Sequence, residues 1–145
     1  MSRTRVHLCL AALLLPLLLL AGCESVPPPE SLPAGPLDEF YPGELVSVDR
    51  IDLRSGMSGE WRTVTNPEVI RDWVSKAGDL PFSPDPSQAQ RAGFNYIVIL
   101  FEKGEEKFSF LPTQFGKHYY IPDPQFSPLL DELFEKGTKP VPGRY

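Results

Sequence analysis

Nine of the 19 leucines fall between Leu8 and Leu20, and that run divides the chain before any fold is considered. Val6 to Leu20 is an apolar stretch of 15 residues with no polar face. It is too short to cross a hydrocarbon core of about 30 Å comfortably. Arg3 and Arg5 stand ahead of it and the small residues Ala21 and Gly22 behind it, the order expected of an export signal over residues 1–22. Without that segment the chain loses 15 of its 60 hydrophobic residues and two bases, so its formal charge moves from -5 to -7. The other 123 residues hold 45 hydrophobic ones, about the least that builds a core, in a length that suits one domain. Acidity of this kind argues against nucleic acid, whose phosphates require clustered Lys and Arg.

Leu20-Ala21-Gly22-Cys23 resembles the lipobox of bacterial lipoprotein precursors. The resemblance implies a diacylglyceryl group on the Cys23 sulfur, cleavage just before Cys23, and an extracytoplasmic protein anchored to the cell membrane. Two acyl chains, at about 0.8 kcal/mol per buried CH₂, hold a protein durably where one does not. An aspartate after the cysteine would imply inner-membrane retention. Here Glu24 follows, which leans toward the outer membrane if the cell has one. The competing reading is an uncleaved helix or an ordinary secretory signal with a chance cysteine. Under the lipoprotein reading Cys9 is discarded and Cys23 becomes a thioether, so the folded part has no cysteine. Disulfide scaffolds, thiol redox chemistry and cysteine proteases are then excluded.

Residues 23–44 read as the lipidated cysteine and an acidic tether. Glu24 to Glu44 holds six prolines and five acids in 21 residues, and no base. Proline-rich chain favours extended polyproline II, in which 14 residues reach about 40 Å. Pro33-Ala34-Gly35-Pro36 is formally a P-x-x-P ligand, although a plain spacer explains it as well. Within Asp38-Glu39-Phe40-Tyr41 the adjacent aromatics are costly to leave in water, so docking of the chain can begin there.

Residues 45–137 read as a single α+β domain, with 138–145 a frayed tail. Val46 and Val48 alternate out of phase with Ile51 and Leu53, which predicts one strand with a bulge near Asp49-Arg50. Glu60 to Val64 returns as a second strand. Asn66-Pro67-Glu68 is a helix start, and Val69, Ile70, Trp73, Val74 and Ala77 form one apolar stripe ending at Gly78. Asp79 to Gly93, with three prolines, reads as a long loop. Phe94 to Phe101 suits a central strand, turned by Lys103-Gly104 into Lys107 to Leu111, and His118 to Ile121 makes a last short strand. Ser127-Pro128 opens a second helix with Leu129, Leu130, Leu133 and Phe134 as its stripe. The order β-β-α-β-β-β-α predicts a mainly antiparallel sheet of about five strands with two helices on one face.

Chemistry is sparse. The mature chain has one histidine, His118, and no clustered ligands, which predicts no metal and no cofactor. His118 near Ser109 is the nearest approach to a catalytic pair, without a nucleophile elbow or other motif. Asp49 and Asp52 are expected on different faces, which spoils paired-carboxylate hydrolysis. Most of the aromatic set must be core, yet Tyr96, Phe115, Tyr119 and Tyr120 are the candidates for a sheet face left open by the helices. Such a face would bind a protein, peptide or glycan of the cell envelope. The expectation is therefore a non-catalytic, membrane-anchored binding domain. A small surface enzyme or accessory subunit using His118 is one alternative, and an inhibitor or immunity-type protein acting through residues 79–93 is another.

Overall fold

The computed structural model describes residues 27–140, so the signal, the lipobox and Cys23 lie outside the described residues. The chain enters the fold at Gly35. Gly35–Pro36 is a short strand, β1, and Leu37–Phe40 a single helical turn, α1. Leu37 is fully buried, and Tyr41 and Leu45 nearly so. The backbone is tied down as well, with Leu37 N–H donating to Leu80 O at 3.2 Å and Asp38 N–H to Gly78 O at 3.1 Å. The tether read as far as Glu44 is thus part of the domain from Gly35 onward. Leu37, Phe40 and Tyr41 are too apolar to stay in water, and the prolines around them do not prevent docking.

Leu45–Ser47 is a 3-10 turn where the alternation of Val46 and Val48 predicts a strand. Leu45 and Val48 point inward, three residues apart, and Val46 is 75 % exposed. Burial chose the spacing of a turn over that of a strand, and no bulge at Asp49-Arg50 is needed. Regular pairing begins with β2 (Arg50–Ser55), which lies antiparallel to β3 (Trp61–Val64). After α2 (Pro67–Ala77) and β4 (Pro81–Pro84) the first sheet is completed by β5 (Tyr96–Glu102) and β6 (Glu105–Phe110). Its order is β3-β2-β5-β6. Lys103 and Gly104 both have positive φ, 52° and 83°, the handed turn that matches strand twist.

A second antiparallel sheet takes the place of the fifth strand. Gln114–Phe115 is β7 and His118–Pro122 is β8, and the order is β1-β4-β8-β7. The stretch Asp79–Gly93 is therefore not loop throughout, because Pro81–Pro84 pairs with β1 on one side and β8 on the other. Its prolines lack the N–H of a ladder residue, which hides the strand from a sequence reading. The chain leaves the edge of the first sheet after Phe110 through the Leu111–Gln114 bridge, so β8 cannot extend that sheet.

Helix α2 follows its local signals. Asn66 Oδ1 accepts from Glu68 N–H at 2.9 Å, Pro67 opens the helix, and Ile70, Trp73, Val74 and Ala77 are buried. Helix α3 (Phe126–Lys136) starts one residue before Ser127, and Ser127 does not cap it. The preceding turn is held by Asp123, whose Oδ1 accepts from Gln125 N–H and whose carbonyl accepts from Phe126 N–H. Both helices join Ile51, Leu53, Val64, Val98, Leu100 and Phe110 in one core. Rings of Phe40, Phe82, Phe110, Phe115 and Tyr120 fill the space between the sheets. Of the tail read as frayed, Thr138 exchanges backbone hydrogen bonds with Thr63 at 2.8 and 2.9 Å, and residues 141–145 lie outside the described residues.

Candidate functional site

The four aromatics expected on an open face are not together. Phe115, Tyr119 and Tyr120 are 9 %, 7 % and 3 % exposed. Phe115 stacks on Phe40 at 4.4 Å and lies edge-on to Phe82 at 4.9 Å. Tyr119 faces the other side of its sheet and is covered there by residues 85–91. Arg91 N–H donates to its hydroxyl at 3.0 Å, and the Arg91 guanidinium lies 4.9 Å from its ring. The Gln88 side chain meets both the N–H and the C=O of Tyr119 at 2.9 Å. An Asp85–Arg91 ion pair at 2.8 Å closes the strap and holds the Asp85 carboxyl below the usual range. With Phe82 fully buried, Pro81–Pro84 does not stand clear of the core as an inhibitory loop would.

Tyr96 stands apart at the start of β5. It is half-buried, its ring packs on Phe134 at 5.6 Å, and its hydroxyl donates to Asp131 Oδ1 at 2.8 Å. Two adjoining clefts open beside it. The first, of about 230 Å³, is lined by Ser55, Met57, Asn95, Tyr96, Pro112, Ser127 and Asp131. The second, of about 480 Å³, runs past Gly93, Phe94 and Thr113 and shares Asn95, Pro112 and Ser127 with the first. Pro112 is buried beneath them, whereas Asn95, Ser127 and Asp131 are exposed.

Close backbone packing sets the rim. A Cβ on Gly56 would fall 1.8 Å from Phe94 O, so only glycine lets the β2–β3 hairpin approach β5 there. Gly56 N–H donates to Asn95 O at 2.7 Å, and Met57 beyond it is 95 % exposed at the groove mouth. In the sequence Ser127 looks like a helix cap and Asn95 like a strand residue. No local signal places them side by side.

The groove's lining carries the hydroxyls of Ser55, Thr113 and Ser127, the Asn95 amide and the Asp131 carboxylate, and no cysteine, histidine or lysine. Amide, hydroxyl and carboxylate groups face apolar Phe94, Pro112 and Met57, which suits polar ligands with an apolar side. His118 and Ser109 sit in different sheets, on β8 and β6. Nδ1 of His118 is buried with no hydrogen-bond partner, where a general base needs an orienting group. Asp49 and Asp52 diverge, Asp49 accepting from Lys103 N–H at 2.6 Å and Asp52 fully buried on the sheet. Among the described residues no three His, Cys, Asp or Glu side chains gather as a metal site.

Burial, reinforced by Asp131, pushes the Tyr96 hydroxyl up to about 12. The unfolded chain ionises first, near 10. The stability that Tyr96 contributes is therefore whole below about pH 10 and is lost as pH rises toward 12. Urea melts of wild type and Tyr96→Phe should differ at pH 9, and the gap should shrink or invert by pH 11.5. A constant gap would contradict the buried, hydrogen-bonded hydroxyl. Tyr41 and Tyr120 are also raised, but both proteins share them.

No family model matches the chain, and neither a curated protein nor a solved structure matches it.

Proposed function

We propose that this chain is a lipoprotein, exported and held at the membrane by diacylglyceryl on Cys23, whose domain binds an envelope partner without transforming it. The ligand is a short stretch of glycan or peptide lying in the groove between Met57 and Thr113. The joined clefts that share Asn95, Pro112 and Ser127 carry this reading. Together they have the size and mixed lining of a small-ligand site. Since the fold begins at Gly35, only residues 24–34 separate the lipid from the domain. That bounds the reach at about 34 Å, so the groove serves material close to the bilayer.

Titration of the isotope-labelled domain with a soluble peptidoglycan digest tests the groove. Shifts should concentrate at Asn95, Tyr96, Thr113 and Ser127. Loss of one ligand hydrogen bond in Asn95→Ala or Ser127→Ala should weaken binding by up to about tenfold. Shifts elsewhere, or binding indifferent to both changes, would remove the groove from the function. For the anchor, Cys23→Ala should release the protein from membranes and alter its mobility on a gel. Unchanged fractionation and mobility would defeat the lipoprotein reading.

A further inference from the structure

The groove beside Tyr96 carries charge of one sign. Its two clefts are lined by one acid, Asp131, and by no lysine, arginine or histidine. The neighbouring bases in the sequence are turned elsewhere. Arg54 precedes Ser55 and so projects from the opposite face of β2, where its guanidinium lies over Trp61 at 6.0 Å. Arg91, next to Ala92, is held by Asp85 at 2.8 Å. The positive end of α3 is answered too, because Asp123 accepts from Gln125 N–H through Oδ1 and from Phe126 N–H through its carbonyl.

The Asp131 carboxylate is exposed and only half used. Oδ1 accepts from the Tyr96 hydroxyl at 2.8 Å, which fixes the group against the start of β5. Oδ2 has no hydrogen bond or ion pair among the described residues. Ser127 lies four residues earlier on α3, which sets the two Cβ atoms about 5–6 Å apart on one face of the helix. Both side chains line the first cleft, and Asn95 lines it with them. A carboxylate oxygen, a hydroxyl and an amide carbonyl make three acceptors, and one ammonium group has three donors. Glu135, one turn further along α3, adds to the negative field at the Tyr96 hydroxyl.

We propose that the ligand of this groove is a short peptide bearing a primary ammonium group, which binds Asp131 Oδ2 and Ser127 while the rest of the peptide lies along Pro112 and Phe94. This rests on the groove being the binding site. An amino sugar would bring the same ammonium but fits worse. Sugar rings stack on flat aromatic faces, whereas Tyr96 has its ring on Phe134 at 5.6 Å and the edge of Phe94 lies against Gly56. An anionic ligand would meet Asp131 with no base in the lining to offset it.

The probe is acetyl-alanyl-lysyl-alanine amide, beside the same peptide acetylated on the lysine Nζ, each titrated into the isotope-labelled protein. The free amine should shift Asn95, Ser127 and Asp131 and bind about three- to tenfold tighter than the acetylated form. Added salt should narrow that difference. Asp131→Asn keeps an acceptor for Tyr96 at an exposed position, so the protein should stay folded and the preference should vanish. A preference that survives Asp131→Asn, or equal binding of both peptides in the groove, overturns the proposal and leaves the groove as a site. Tighter binding of a glucosamine trimer than of the lysine peptide overturns it as well. If neither peptide shifts the groove while the peptidoglycan digest does, the amine-bearing peptide is wrong and the groove stands. If the digest fails too, both readings fall.

Discussion

Replacing Phe115 by alanine is expected to lower the stability of the domain by about 3–5 kcal/mol. Its ring lies against Phe40, Phe82, Phe108, Phe110 and Tyr120, with centroids 4.4 to 5.9 Å away. Truncation removes a large apolar side chain and leaves a cavity bounded by two sheets that cannot collapse independently. The expected signature in urea is a lower midpoint with an unchanged slope. Tyr120→Ala should behave alike, since Tyr120 is 3 % exposed and burial raises its pKa. A folded Phe115→Ala protein within about 1 kcal/mol of wild type would return Phe115 to the surface and revive the open aromatic face.

Leu37→Ala is expected to cost about 2–5 kcal/mol, although Leu37 lies in a stretch that reads as tether. In the fold the side chain is 0 % exposed, and it reaches solvent only if the segment from Gly35 to Tyr41 lifts away. Tyr41 adds a polar clasp, its hydroxyl donating to Glu102 Oε1 across 61 residues of sequence. A chain starting at Leu45 loses both, together with the pairing of Gly35 to Phe82. The combined loss is of the order of a whole domain's stability. That truncation should give a collapsed spectrum in two-dimensional NMR, whereas a chain starting at Ser31 should give dispersed peaks. Dispersed peaks from the shorter chain would mean that the segment from Gly35 to Glu44 is dispensable.

Both experiments act where sequence and structure part. Helix α2 was legible because its signals are local: an Asn66 cap, Pro67 at the first position, and an apolar stripe on one face. The β5–β6 hairpin was legible for the same reason, through Lys103-Gly104 and the hydrophobic run before it. Strand β4 was not, because Pro81 and Pro84 carry the marks of a loop and Phe82 alone gives no period. Its identity depends on β8, nearly forty residues later in the chain. Likewise Ser127 was readable as a residue type but not as a neighbour of Asn95 in the groove.

By itself the sequence determined that an apolar, leucine-rich stretch precedes an acidic proline-rich one and one nearly neutral α+β unit. Residues 45–145 carry a formal charge of only -2, from 14 acids and 12 bases. It determined most helices and hairpins too, because capping, turn handedness and periodicity involve residues within about five positions of one another. Only the tertiary structure decided that strands divide between two sheets, that Phe115, Tyr119 and Tyr120 turn inward, and that the domain starts at Gly35. Those outcomes rest on which apolar surfaces meet after the chain closes long loops. Burial energy depends on the area removed from water and not on separation along the chain, so no local pattern records it.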